Sequence, residues 1–128
     1  MKRLLPALGL IALALILVAC SGAAGGPSGP APSLSADALQ ISAKDLKFST
    51  TTLTAKANTA FQIAFDNQEA APHNVAIYKD ESAAEKIFAE DPFGGPKQVV
   101  YNVPATPAGS YFFRCDLHPD MKGTLEVG

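Results

Sequence analysis

Residues 111 to 123 read YFFRCDLHPDMKG and set Cys115, His118 and Met121 three positions apart. The 128-residue chain has two cysteines, two methionines and two histidines in all, so one turn takes half of its scarcest donor side chains. The other histidine, His73, stands in APHNVAIY at the head of a β-rich run. A thiolate, a thioether and two imidazoles make a soft donor set. Such a set selects copper: two histidines and one cysteine near a plane, with a weak axial methionine, form a one-electron centre. Cu(I) favours few, soft ligands, whereas Cu(II) alone favours a flatter site rich in nitrogen or oxygen. A geometry fixed between the two needs little rearrangement when an electron arrives or leaves. On this reading Cys115 carries the covalent metal bond and Met121 helps set the potential. His73 is the more buried imidazole. His118, followed by Pro119, turns a ring edge toward solvent as the electron port.

Asn74 adjoins His73, and an amide there is placed to tie the His73 strand to the Cys115 loop and to donate toward the sulfur. Contacts of that kind orient ligands and tune the metal they hold. Pro72 and Pro119 each stiffen the backbone beside a histidine. Taken singly, these residues have plainer uses. A lone cysteine is usually a small buried hydrophobe, and a lone histidine or methionine is usually structural. Zinc accepts one cysteine and two histidines, but methionine is a poor ligand for it. A binuclear copper centre needs a second cysteine in the loop, and positions 116 to 120 contain none. Oxidases with several coppers need more than two histidines. A Cys–His nucleophile pair has only Asp116 or Asp120 to orient it, and leaves His73 and Met121 without a role.

The elements that must position these donors are strands. LQISAKDLKF, TTLTAKA and TAFQIAFDNQ have a period-two texture, with Phe61, Ile63 and Phe65 alternating; HNVAIYK, QVVYNVPA, GSYFFRC and GTLEVG follow. Pro and Gly clusters punctuate them. Many short strands at regular spacing predict an all-β sandwich or barrel over residues 39–128. In GSYFFRC the alternation puts Tyr111, Phe113 and Cys115 on one face, and Phe112 and Arg114 on the other. If Phe113 points into the core, so does the Cys115 thiol. Tyr111 suits a tyrosine corner, its hydroxyl bonding to upstream backbone. Residues 80–91, DESAAEKIFAED, fit either a helical turn opened by Ser82 and Glu85 as a capping box or an edge strand at KIF.

PHNVAIY together with GSYFFRCDLHPDMKGTLEV resembles the cupredoxin, or blue copper, family. Two residues separate Cys from His and two separate His from Met, which is similar to the amicyanin loop; the plastocyanin loop is longer between His and Met. The resemblance covers residues 39–128 and implies a Greek-key β-sandwich, a one-copper, one-electron carrier, and His73, Cys115, His118 and Met121 as ligands with Asn74 linking the loops. Plastocyanin has Tyr before its ligand Cys, a proposed remote electron route. Arg114 stands there in this chain and leaves the His118 edge as the main port.

The first residues are of another kind. MKR and then LLPALGLIALALILVA form a basic start and an apolar stretch of the length of an export signal, shorter than a membrane span. LVAC resembles a bacterial lipoprotein signal, which implies that residues 1–19 are removed and that Cys20 becomes lipidated. Each buried acyl methylene would add about 0.8 kcal/mol of membrane attachment. Removal takes Lys2 and Arg3, and shifts the formal charge from −2 to −4. Residues 20–38 then form a Gly-, Pro- and Ser-rich tether spanning roughly 20–25 Å by random-coil scaling. The protein is thus expected on the extracytoplasmic face of a bacterial membrane, as a monomer. Its expected partners are redox proteins such as a cytochrome or a respiratory or photosynthetic complex. A mild charge with no basic patch excludes a nucleic-acid binder. Asp80, Glu81, Glu85, Glu90 and Asp91 form a loose acidic cluster, read as a solvated surface or as a steering patch for a basic cytochrome. Phe93 in DPFGGP is a candidate for an apolar patch at the port. The other functional class open to such a chain is copper buffering or delivery to a cuproenzyme.

Overall fold

A computed structural model describes residues 33–128; the expected leader, Cys20 and most of the expected tether lie outside the described residues. The described chain is all β, without a helix. In order it forms β1 Leu39–Lys44, β2 Lys47–Phe48, β3 Thr52–Ala55, β4 Phe61–Asn67, β5 Ala76–Tyr78, β6 Lys86–Phe88, β7 Lys97–Val103, β8 Gly109–Arg114 and β9 Lys122–Val127. A four-stranded sheet runs β2-β1-β4-β7 and a five-stranded sheet runs β3-β9-β8-β5-β6. β1 pairs with β4 in parallel, and so does β3 with β9. The chain therefore crosses between sheets rather than folding only as hairpins, and a two-sheet sandwich results.

Period-two alternation builds the shared core. Ile41 and Ala43 of β1, Ile63 and Phe65 of β4, Tyr111 and Phe113 of β8, and Leu125 and Val127 of β9 are buried in one cluster. Each such large apolar side chain contributes roughly 1.5–3 kcal/mol by leaving water. Phe65 and Phe113 are linked through Phe48, whose ring lies 6.3 Å from the first and 5.6 Å from the second. On the outer face of the five-stranded sheet a small second cluster holds Ala76, Tyr78 and Phe112. The Tyr111 hydroxyl donates to the Pro107 carbonyl at 2.9 Å, the corner that the sequence suggested.

Residues 80–91 resolve into a turn and an edge strand. The Ser82 amide donates to the Asp80 carboxylate at 2.9 Å and the Ala83 amide to the Asp80 carbonyl at 3.1 Å. Ala83 then adopts a left-handed φ of 53°, which halts any helix. Lys86–Phe88 pairs with β5, and Ile87 and Phe88 pack on the core. Burial of these two side chains outweighs the weak local helix signal of Ser82 and Glu85.

Candidate metal centre

β8 ends at Arg114 and delivers Cys115 to one pole of the sandwich, still on the core face and without exposure. The loop to β9 closes on itself there. The Cys115 amide donates to the Met121 carbonyl at 2.8 Å, and the Met121 amide to the His118 carbonyl at 2.9 Å. This folds His118 and Met121 back toward the cysteine, and leaves Met121 only 2% exposed within the core cluster that includes Cys115. His73 reaches the same place from the chain between β4 and β5. Its amide and carbonyl form a two-way bridge with Phe93, at 3.1 and 3.0 Å. The buried Asn67 side chain shapes the approach by donating to the Ala71 and Phe93 carbonyls at 2.9 and 2.7 Å.

The donor atoms form a compact triangle. Cys115 Sγ lies 3.7 Å from His73 Nδ1 and 3.6 Å from His118 Nδ1, and the two Nδ1 atoms are 3.1 Å apart. The point equidistant from all three lies about 2.0 Å from each, a metal–imidazole bond length and slightly less than a metal–thiolate one of ~2.3 Å. His73 is fully buried, whereas His118 is half-buried between exposed Leu117 and Pro119. The residues present therefore fit one ion, and the methionine in the set makes that ion copper rather than zinc.

Asn74 is fully buried beside His73. Its side-chain carbonyl accepts from the Asp116 amide at 2.9 Å, and its NH2 donates to the Asp116 carboxylate at 2.9 Å and to the Glu90 carbonyl at 2.8 Å. The side-chain amide thus clasps the loop through Asp116 and does not go to the sulfur. Asp116 also accepts from the Tyr78 hydroxyl at 2.6 Å. Burial pushes the Asp116 carboxyl up, but the bonds from Tyr78 and Asn74 and the charge of Arg114 outweigh it and hold the group below its usual range. Tyr78 is raised, by burial and then by Asp116. The two Asp116 carboxylate oxygens are thus taken by Asn74 and Tyr78. Phe93 is half-buried: its ring packs on Phe65 at 5.5 Å, with Lys97 over it at 5.3 Å, and its backbone pairs with His73. Leu117, the residue before His118, is an exposed apolar side chain.

Glu69 is a contributor that sequence reasoning missed. Its carboxylate lies 2.7 Å from His73 Nε2 and accepts from the Leu46 and Asp45 amides at 3.0 and 3.1 Å. Asp45 and Leu46 both adopt left-handed backbone, with φ of 53° and 55°, which turns their N–H groups toward one acceptor. The Leu46 amide, with His73 and Asp45, lowers the Glu69 pKa despite an opposing burial effect. With Nε2–H donating to Glu69, the lone pair of His73 resides on Nδ1, the atom facing Cys115 and His118. The only sequence signal was an acid four positions before the histidine, in a segment without periodicity.

A family model described as a cupredoxin-like domain matches residues 9–127. Amicyanin of Paracoccus versutus is 35% identical over 95 residues, which cover 72% of this chain and 66%, just under two thirds, of that protein. A reduced auracyanin from the photosynthetic bacterium Roseiflexus castenholzii superposes with a TM-score of 0.64 at 20% identity, over 75% of this chain and 99% of that one. Auracyanin A, a "blue" copper protein from Chloroflexus aurantiacus, gives 0.62 at 23% identity, over 71% and 98%. A reduced amicyanin variant gives 0.57 at 26% identity, over 74% and 86%.

Proposed function

Because the chain belongs to the cupredoxin family, we propose that it carries single electrons on one copper ion between redox proteins outside the cytoplasm, and turns over no substrate of its own. The observation that carries this reading is the 3.1–3.7 Å triangle of His73, Cys115 and His118 donor atoms, with Met121 buried beside it. Those four side chains are the ligands, and Asn74 is the residue that joins their two loops. Copper, when bound, supplies a metal that cycles between Cu(I) and Cu(II). The protein's own part is to hold the donors still. Glu69 fixes the His73 ring, the backbone bonds of Met121 fix the loop, and Asn74 locks Asp116 to the His73 segment. The half-buried His118 edge, beside Leu117 and Pro119, is the face on which a partner docks.

Residues 1–19 act as a lipoprotein leader, Cys20 as the lipidated first residue, and residues 20–38 as a tether to the domain at 39–128. On this reading the carrier sits as a monomer on the extracytoplasmic face of a bacterial membrane. Copper delivery asks for an exchange-ready site, and three of the four donors here are at most 2% exposed, which favours the carrier.

Loading the purified protein with Cu(II) should produce an intense visible sulfur-to-copper band, absent in Cys115→Ser, and a reversible one-electron titration. Copper should pass slowly to a chelator while electrons exchange quickly between molecules. A band that survives Cys115→Ser would overturn the assignment, and rapid copper release with slow electron exchange would favour delivery.

A further inference from the structure

The end of the expected tether, Ser33 to Ala38, is an arm laid against the domain. The Ser35 amide donates to the Gln62 side-chain carbonyl at 2.7 Å, and the Gln62 NH2 donates to the Ser33 carbonyl at 3.4 Å. The Ala38 amide donates to the Ser35 carbonyl at 3.1 Å, and Ala38 is buried where β1 begins. Gln62 is the second residue of β4, and β1 runs parallel to β4 with Leu39 opposite Ile63. The arm therefore enters at the start of both strands, and both run from there toward the metal centre. β4 leads on to Glu69 and His73, and β1 to the turn whose Asp45 and Leu46 amides hold Glu69. The loops 56–60 and 104–108 close the pole of entry, joined where the Asn58 amide donates to the Thr106 carbonyl at 2.8 Å. β8 starts at that pole with Gly109 and ends at Arg114, beside Cys115. The chain thus enters at the pole opposite the metal centre. β4 alone, Phe61 to Asn67, separates the two poles by about 20 Å at ~3.3 Å per residue.

We propose that the lipid anchor holds the domain by the pole opposite its metal centre and turns the copper away from the bilayer. The partner is then a redox centre that another protein carries above the membrane, not an electron carrier dissolved in the lipid. The inference rests on the Cys20 anchor and the carrier function proposed above. With the arm docked, residues 20–32 join the anchor to the domain. A Gly-, Pro- and Ser-rich stretch of that length has a relaxed span of about 20 Å. The upright domain then carries its copper roughly 40 Å from the lipid, that span and the length of β4 together. To bring His118 down to the lipid, residues 20–32 must run back past the whole sandwich, well beyond their relaxed span. A stretched chain has fewer conformations, so the upright arrangement dominates. Electron transfer weakens steeply with distance, and a donor dissolved in the bilayer stays far from His118. A centre in the water-exposed part of a protein meets no such gap. One electron passes per encounter: Cu(II) becomes Cu(I) as the donor is oxidised, and the reverse with the acceptor.

The test uses the full lipid-bearing, copper-loaded protein on phosphatidylcholine vesicles whose headgroups carry an energy acceptor. A donor fluorophore is attached at one introduced cysteine. Thr59→Cys is exposed in the loop at the pole of entry. Asp91→Cys is exposed at the metal pole, next to Glu90, whose carbonyl is bonded to Asn74. Lipid occupies Cys20 and Cu(I) occupies Cys115, so the label finds a single thiol. Energy transfer to the lipid should be several-fold more efficient from position 59 than from position 91. In the Cu(II) protein, a long-chain quinol confined to the bilayer should reduce the copper several-fold more slowly than a tail-free quinol in water. Equal or stronger energy transfer from position 91, or equal reduction by the two quinols, would overturn the orientation while leaving the anchor standing. Full-length protein that leaves the vesicles for the aqueous phase would refute the anchor, and the orientation with it. A missing visible band would instead refute the carrier function itself.

Discussion

Replacing Asn74 by Ala should cost the fold about 4 kcal/mol. The side chain is fully buried and makes three hydrogen bonds, to the Glu90 carbonyl at 2.8 Å and to the Asp116 amide and carboxylate at 2.9 Å each. A neutral bond contributes about 1 kcal/mol net, and one to an ionised carboxylate about 2 kcal/mol. The Asp116 carboxylate keeps its bond from Tyr78, so the loop loses one clasp and not both. Against a typical domain stability of ~5–15 kcal/mol, the variant remains folded but is strongly weakened. Urea unfolding of the metal-free protein reads the loss as a lower midpoint at unchanged slope. Because Asn74 acts through Asp116, the double variant Asn74→Ala/Asp116→Ala should fall short of the sum of the single losses by roughly 1–2 kcal/mol. A loss below about 1 kcal/mol, or strict additivity with Asp116→Ala, would refute the clasp.

Three further expectations follow from contacts at or near the centre. Glu69→Gln keeps the shape but removes the charge facing His73 Nε2 at 2.7 Å. It should weaken Cu(II) binding about 10-fold or more and, with Cu(I) binding unaffected, raise the potential by ~60 mV in voltammetry; an unchanged potential would deny Glu69 its role. Gly123→Ala would bring a Cβ within contact-forbidden distance of the Phe113 ring and the Thr51 carbonyl, so thermal unfolding should show a destabilisation of about 1–3 kcal/mol. Tyr101 is buried, facing the Val75 backbone without a well-formed hydrogen bond, and burial, followed by the charges of Glu90 and Cys115, pushes its pKa well above 10.0. A raised acid stabilises the fold below the unfolded value of 10.0 and loses that contribution as pH climbs toward the folded value. Tyr101→Phe should therefore match the parent at neutral pH and lose less stability above pH 10; equal alkaline slopes would contradict this.

What the sequence made legible is what short-range spacing controls. The alternation in GSYFFRC is enough to put Phe113 and Cys115 in the core and Arg114 outside, because a strand has only two faces. The three-residue spacings of Cys115, His118 and Met121 sit in a loop too short to point them apart. His73 was legible by scarcity alone. The rest depends on segments that meet only in the folded chain. Glu69 is held by a turn 23 and 24 positions earlier in the chain. Tyr78 meets Asp116 across 38 positions. Phe93 lies in a Pro- and Gly-rich segment that reads as exposed, but pairing with His73 draws it inward. Ser82 and Glu85 give a local helix signal that loses to strand pairing and burial at Lys86–Phe88.

The centre is also where the two sheets are referenced to each other. Cys115, His118 and Met121 belong to the β8–β9 connection of the five-stranded sheet, so their mutual spacing follows from one loop. His73 is steered differently. Its ring is aimed by Glu69, which follows β4 and is pinned by the turn between β1 and β2, all in the four-stranded sheet. The distance from His73 Nδ1 to Cys115 Sγ is therefore set by how the sheets pack together with the Asn74–Asp116 clasp. The Phe65, Phe48 and Phe113 rings fill that interface. A close-packed core resists small displacements, and its stiffness passes to the donor triangle. A site whose donors are spaced by a rigid core keeps one geometry in both oxidation states, and that is the property a one-electron carrier requires.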